Sequence, residues 1–338
     1  MKIGIIGDIH WSTRSSIINS RGSRYSTRLE NLVKSVNWAE ATLDKLEVDS
    51  IVYLGDFFDK SVLSAEEITS LNDLSFSSKL HYILVGNHEM TDSHREFNTV
   101  NLLKHLISNS VIIDKPMSVD NIHFIPYIVD EEDRDLDKLI DLTQYKSNLI
   151  FSHNDVKGMQ LGPYTSTQGF DLHKINNDDR IELFINGHLH NHYIDNKICN
   201  VGNLTGQNFS EDAFKYKHQI MTYDTDMHTY EFIENPYAMN FYKITSLEDL
   251  NTLSDNAVIE FINDENTVKA FLQSSDLSKY IAYRTHIKYE KSNTTDVDIA
   301  SYEHIDYTLL FTNFCKEKLS ENIDELTLDK VIQEIVCD

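Results

Sequence analysis

Five short apolar runs in this chain each end in residues of the types that bind metals. Lys2-Ile3-Gly4-Ile5-Ile6-Gly7 leads into Asp8-Ile9-His10, and Ser50 to Leu54 leads into Gly55-Asp56, with Asp59 three residues on. His81 to Val85 leads into Gly86-Asn87-His88-Glu89, Asn148 to Phe151 into Ser152-His153, and Ile181 to Ile185 into Asn186-Gly187-His188-Leu189-His190. Apolar runs of this length, with glycine at the following turn, read as strands buried on both faces. Asp8 and His10, one residue apart, point the same way. In α/β sheets ligands bind beyond the carboxyl ends of strands, so five ligand-bearing strand ends describe one crevice.

Alone, each residue has an ordinary reading. Asp56 and Asp59 would cap a helix, Asn87 would serve a turn, and a lone His153 would be a hydrogen-bonded core or surface residue. Together and in order they form a set of carboxylate, imidazole and amide-oxygen donors that suits Mn²⁺, Fe²⁺ or Zn²⁺. A carboxylate such as Asp56 can bridge two cations roughly 3.5–4 Å apart, and such a pair serves hydrolysis of phosphoesters. His192, close by, fits no ligand position and reads as ordinary surface.

The intervening segments predict a βαβαβ order. Thr27-x-x-Glu30 is a capping-box signature ahead of Leu29, Leu32, Val33, Val36, Leu43 and Leu46 at helical spacing. Ser64-x-x-Glu67 opens a second helix with Ile68, Leu71 and Leu74 on one face. Shorter strands are expected around Val111–Ile113, Ile122–Ile125, Lys197–Cys199, Gln219–Tyr223 and Tyr230–Ile233, an inventory that a two-sheet α/β sandwich accommodates. After Pro236 the ligand pattern stops. Strands at Phe241–Ile244, Ala257–Ile262 and Tyr280–Tyr289, with a helix over Asn266–Leu272, predict a small α+β capping module. A polar stretch from Glu290 reads as a linker, and Tyr302–Leu319 and Leu328–Val336 as amphipathic helices seeking a surface to cover. The expected division is a catalytic domain at 1–236, a capping domain at 237–290, a linker at 291–300 and a helical segment at 301–338.

Composition narrows the function classes. The chain has 338 residues, and 54 acidic against 30 basic ones leave a formal net charge of −24, which opposes long-range attraction to DNA or to anionic membranes. Bound dications would offset this locally. Cys199, Cys315 and Cys337 are far apart and in no ligand spacing, which fits a reducing cytoplasm without a disulfide framework. No leader and no apolar run of spanning length is evident, so a soluble cytoplasmic protein with no membrane partner is expected. Against the acidic background, the irregular stretch from Trp11 to Arg28 carries Arg14, Arg21, Arg24 and Arg28. Leaving directly from His10, it is a candidate for phosphate contact through Arg14, Arg21 and Arg24, since guanidinium suits bidentate binding of phosphate.

These motifs resemble the calcineurin-like metallophosphoesterase superfamily. Asp8 and His10 match its D-x-H, Gly55 through Asp59 its G-D-x-x-D, Gly86 through Glu89 its G-N-H-[DE] and Gly187 through His190 its G-H-x-H, while His153 matches the isolated histidine before the last. The resemblance implies two divalent metal ions, Mn²⁺ foremost, with Mg²⁺, Fe²⁺ or Zn²⁺ as alternatives. Asp8, His10, Asp56 and His190 would hold one, and Asp56, Asn87, His153 and His188 the other. His88 would face the scissile phosphate, orienting it or protonating the leaving oxygen.

The three-part layout, together with Ser152-His153-Asn154-Asp155-Val156-Lys157-Gly158-Met159, Gly169-Phe170-Asp171-Leu172 and Val201-Gly202-Asn203, is similar to the SbcD-type nucleases of double-strand-break processing, especially their compact phage members. That likeness implies a DNA exonuclease and endonuclease acting in recombination, repair or phage DNA processing. It also implies homodimers, and terminal helices that hold an SMC-like coiled-coil ATPase subunit of the SbcC type. Some members carry histidine at the Asp59 position. Here aspartate stands, as is common in bacterial and phage members, and it is expected to orient a ligand. A stand-alone phosphatase or cyclic-nucleotide phosphodiesterase is the alternative; Lys60-Ser61 after Asp59 is unlike the Arg-Gly of protein phosphatases. A scaffold that has lost catalysis would be expected to have lost ligands, and all seven are present.

Overall fold

A computed structural model of the chain describes residues 1–13, 23–91, 94–161, 164–209 and 216–288. The amino-terminal strand Lys2–Ile6 pairs in parallel with Ser50–Tyr53, which pairs with Leu80–Leu84, which pairs with Ser110–Ile113. On its other side Lys2–Ile6 meets Gln219–Asp224 antiparallel, and Thr229–Glu234 forms the edge. A second six-stranded sheet has the parallel strands Ile198–Asn200, Ile181–Asn186, Asn148–Ser152 and Ile122–Ile125 at its centre. Antiparallel Tyr193–Asp195 and Met117–Val119 close its edges.

The period of two residues along each strand sorts the side chains into layers. Ile3, Ile5, Val52, Leu54 and Leu84 of the first sheet share a buried core with Phe124, Leu149, Phe151, Leu183 and Ile185 of the second. Tyr82, Phe124 and Phe151 stack through that seam, with ring centroids 4.5 and 5.4 Å apart. Fully burying a side chain of this size is worth about 1.5–3 kcal/mol. The alternate residues Ile6, Ile51, Tyr53 and Ile83 face Leu29, Leu32, Val36 and Leu43 of the helix Thr27–Lys45 on the outer side. Gly4 is what lets this helix lie so close, because a Cβ there would stand 2.7 Å from the Leu43 side chain. The outer face of the second sheet packs Ile150, Ile181 and Phe184 against Ile140 and Ile175. The result is an α/β protein with two mixed sheets face to face, and the strands expected from the sequence are all found, most within one or two residues.

Several expectations are corrected. The cap of the long helix is Ser26, whose side chain accepts from the Leu29 amide at 3.2 Å, so Thr27 is already helical. Glu30 is drawn away from a capping box because Arg24 and Tyr25 offer it backbone N–H groups, at 2.7 and 3.2 Å. The Ser64–Glu67 box does form, but it opens a helix of only six residues, Ala65–Ser70, that runs on into one 3₁₀ turn; Leu71 is buried and Ile68 is half exposed. The strand expected at Tyr280–Tyr289 is shorter, Ala282–Ile287, because Tyr280 turns its hydroxyl to the Leu250 carbonyl at 2.9 Å.

Beyond Pro236 a three-stranded parallel sheet, Asn240–Ile244, Ala257–Asn263 and Ala282–Ile287, carries the helix Glu265–Leu272 on one face through Phe261, Val268 and Phe271. It joins the sandwich through Phe209, Met239, Phe241 and Val258. Gly206 N donates to the Met239 carbonyl at 2.9 Å, and Met239 N to the Thr205 hydroxyl at 2.8 Å. The expected linker at 291–300 and helical segment at 301–338 lie outside the described residues. Among the described residues no helix is long and apolar enough to cross a membrane. Cys199 is buried against Met221, and burial pushes its thiol up to about 12.

Candidate metal centre

All seven expected ligands leave the carboxyl ends of parallel strands from both sheets. The first two motif loops run side by side: Ile9 N and His10 N donate to the Asp56 carbonyl at 3.1 and 2.9 Å, and Trp11 N to Phe57 O at 2.8 Å. Gly187 N donates to Ser152 O at 2.9 Å, and Leu204 N to Asp8 O at 2.8 Å. His10, Asp56 and His188 all have left-handed backbones, with φ of 53°, 46° and 72°. For residues other than glycine such conformations cost about 1–3 kcal/mol each and persist where the surroundings over-determine them, as at functional sites. Gly55, at φ 103°, lets the strand end turn under the His153 ring.

Three convergent groups result: Asp8 with His10 and His190; Asp56 with His153 and His188; and His10 with Asp56 and His88. In each, the donor atoms lie within 4.8 Å of one another. Asp56 and His10 each occur in two of the three, and of these Asp56 is the carboxylate, able to offer an oxygen to either side. Its Oδ2 lies 3.2 Å from His153 Nε2 and 3.9 Å from His10 Nε2, while its Oδ1 accepts the His88 amide at 3.0 Å. Asp8 is also fully buried, and its carboxylate accepts the His188 amide at 2.9 Å.

The hydrogen bonds on the far sides of the imidazoles decide which nitrogens face inward. His153 Nδ1 donates to the Leu54 carbonyl at 2.7 Å, which turns Nε2 toward Asp56 and toward Asn87 Oδ1, 3.3 Å away. His10 Nδ1 donates to Asp59 Oδ1 at 3.1 Å, and its Nε2 meets His190 Nε2 at 2.9 Å. His188 Nε2 donates to Asp155 Oδ1 at 3.2 Å, and its Nδ1 faces Asn87 Oδ1 at 2.9 Å. Ring nitrogens, carboxylates and the Asn87 oxygen thus converge at the centre, where a cation can stand in place of protons. The donor set therefore fits two dications, one in the Asp8, His10, Asp56, His190 group and the other in the Asp56, Asn87, His153, His188 group. When bound, such ions supply Lewis acidity and a nucleophile at neutral pH.

Charge in the site points the same way. Burial is the largest influence on Asp56 and disfavours its charge, yet His153, His10 and His88 outweigh it and hold the carboxyl well below the usual range. Burial likewise works against charge on His153, but Asp56, Asp8 and Glu89 raise it to about 9. Glu89 is pushed up to about 8 by burial and then by Asp56, although Gly86 N at 2.7 Å and Phe58 N at 3.1 Å both donate to it. It ties the second motif loop to the third.

His88 differs from its neighbours in exposure, at 39% of its side chain against 1% for His10 and none for His153. Its Nδ1 donates to the Asp59 carbonyl at 3.0 Å, and its Nε2 stands 4.0 Å from Asp56 Oδ2. A fixed imidazole with an open edge beside the Asp56 carboxylate can meet a substrate oxygen. Asp59 accepts from His10 Nδ1 and also from Gln207 Nε2 at 3.0 Å, which fixes the His10 ring from behind.

The arginine loop is different. Arg14 and Arg21 lie outside the described residues, and Arg24 forms a bidentate pair with Asp73, at 2.9 and 2.8 Å, while covering the Tyr25 ring. Arg28 is buried and donates to the carbonyls of His10 and Gly206. His192 is half-buried against Phe232, with Nδ1 on the Asn200 carbonyl. No local pattern marks a role for Asp155 or Arg134, because their contacts with the site appear only in three dimensions.

The calcineurin-like phosphoesterase family matches residues 1–192. Among solved structures, one from the structural and functional characterization of a novel archaeal phosphodiesterase is similar at 16% identity and a TM-score of 0.35, over 69% of this chain and 99% of that one. No curated protein matches the chain. With the family's match covering the first, second, third and last motif loops, and His153 between them, the chain belongs to the calcineurin-like phosphoesterase family and is a metal-dependent phosphoesterase.

Proposed function

We propose that the chain is a two-metal DNA exonuclease and endonuclease subunit that hydrolyses phosphodiester bonds in recombination, repair or phage DNA processing. It works in the cytoplasm, as a homodimer, with an SMC-like coiled-coil ATPase of the SbcC type. The observation that carries this reading is the small parallel-sheet module at Asn240–Ile287, seated against the metallophosphoesterase sandwich directly after its last strand. This is the order of parts in SbcD-type nucleases, and it adds to the motif spacing around Ser152–Met159 and Gly169–Leu172. Lys243, Arg284 and His286 gather around Glu260 on that module. The net charge of −24 makes unaided DNA binding weak, so the partner supplies much of the DNA-binding surface.

In this reading the seven ligands would hold two ions, Mn²⁺ foremost, with Asp56 shared between the two groups, and the ions would supply Lewis acidity toward the phosphate. His88 contacts the scissile phosphate and delivers a proton to the leaving oxygen, and Asp59 keeps His10 turned inward. The experiment is hydrolysis of linear duplex DNA with Mn²⁺, run beside p-nitrophenyl phosphate and cyclic nucleotides. Release of nucleotides from duplex ends is expected. Turnover of the small phosphoesters alone would move the protein to the phosphatase or cyclic-nucleotide phosphodiesterase class.

A further inference from the structure

Arg134 is 3% exposed, touches none of the seven ligands, and yet is joined to one of them by a single residue. Its Nη1 donates to Asp155 Oδ2 at 3.1 Å, and the other oxygen of the same carboxylate accepts His188 Nε2 at 3.2 Å. Its remaining nitrogens are also committed: Nε donates to the Ile128 carbonyl at 3.0 Å and Nη2 to the Tyr127 hydroxyl at 3.2 Å, while Glu131 accepts from Nη1 at 2.8 Å. The guanidinium lies over the Tyr127 ring, 5.3 Å from its centroid, and the same ring packs on His188 at 5.6 Å and on His153 at 6.5 Å.

We infer that Asp155 and Arg134 are positioning residues for the Asn87–His153–His188 half of the metal centre. Asp155 keeps the proton of His188 on Nε2 and so presents the Nδ1 lone pair beside Asn87 Oδ1. Arg134 fixes Asp155 from behind and, through Tyr127, sets the planes of the two imidazoles. The same residues leave the Asp8–His10–His190 half untouched, which is braced instead by Asp59 and Gln207. Partners behind metal-ligating histidines commonly change metal affinity by about 10–100-fold. The inference rests on the two-metal reading of the centre, and it makes the two halves separable.

The test is calorimetric titration of the full-length protein with Mn²⁺, accompanied by electron paramagnetic resonance to count ions and detect coupling between them. The wild type is expected to bind two ions and show a coupled signal. Asp155→Asn, isosteric and partly exposed, should weaken one of the two by about 10–100-fold, leave the other within about twofold, and abolish the coupled signal at limiting Mn²⁺. Arg134→Met should do the same, with Arg134→Lys recovering part of the affinity. Two wild-type affinities in Asp155→Asn would overturn the positioning role, as would equal weakening of both ions. A wild type that binds a single ion would instead bring down the two-metal reading.

Discussion

Gly86 lies so close to Asp56 that a Cβ on it would stand 2.1 Å from the carboxylate Oδ1 and 2.5 Å from the Asp56 amide nitrogen. The third motif's turn and the second motif's Asp56 carboxylate therefore occupy adjoining space with no room for one more carbon. Gly86→Ala must displace either the turn or Asp56. It is expected to cost roughly 1–3 kcal/mol of stability and to lower Mn²⁺-dependent phosphodiesterase turnover by more than that loss explains. Urea melts and initial rates measure the two separately, and wild-type values for both would show that the strand ends tolerate the shift.

His88 is anchored through its Nδ1 and open at its other edge. His88→Ala should leave both metal affinities near wild type and reduce turnover by about 10²–10⁴-fold, the usual range for a positioned acid–base group. The loss should be smaller for substrates with good leaving groups, such as p-nitrophenyl esters, than for DNA. Unchanged DNA turnover would remove His88 from the reaction.

Much of this architecture is legible in the chain because its signals are local. Continuous apolar runs mark strands buried on both faces, and a glycine followed by a ligand marks four of the five strand ends, His153 following Ser152 instead, so the βαβαβ order and the convergence of Asp8, Asp56, Asn87, His153 and His188 follow from short windows. What depended on neighbours was missed. Ser26, not Thr27, caps the long helix because two amides in the preceding loop compete for Glu30. Arg24 turns to Asp73, 49 positions away, and the bond from Asp155 to His188 crosses 33 positions. No periodicity announces such pairings.

Metal removal should act on stability as well as on rate. Buried carboxylates gathered with imidazoles favour cations in the folded state, so ligand binding to that state adds RT ln(1 + [L]/Kd), about 2.7 kcal/mol per site at a hundredfold excess over Kd. Dialysis against a chelator is expected to abolish hydrolysis and lower the melting temperature by several degrees, with both restored by Mn²⁺. A melting temperature indifferent to Mn²⁺ would contradict binding at these residues.

If the residues beyond 300 are the site of the ATPase partner, a chain ending before Tyr302 should lose co-purification with that subunit. The metal centre lies wholly within residues 1–209, so weak Mn²⁺-dependent hydrolysis should persist. Retained binding of the shortened chain to the ATPase would place the partner interface elsewhere.

Part of the acid sensitivity should trace to a residue outside the metal centre, Glu67. Its buried carboxylate accepts Ser64 N at 2.7 Å, Thr13 N at 2.8 Å and Lys60 Nζ at 2.9 Å. Burial, the largest influence, would raise its pKa, but these donors outweigh it and hold the group at about 2, down from 4.5. A depressed carboxyl stabilises the fold above the unfolded-state value, and that contribution fades as pH falls below about 4.5 toward 2, amounting to at most about 3 kcal/mol. Glu67→Gln keeps the shape but not the charge. Urea midpoints of wild type and variant should therefore differ most at pH 6 and converge progressively below pH 4.5; a gap that stays constant down to pH 3 would assign the effect to packing beneath Trp11, whose Nε1 donates to the Glu67 carbonyl at 3.0 Å.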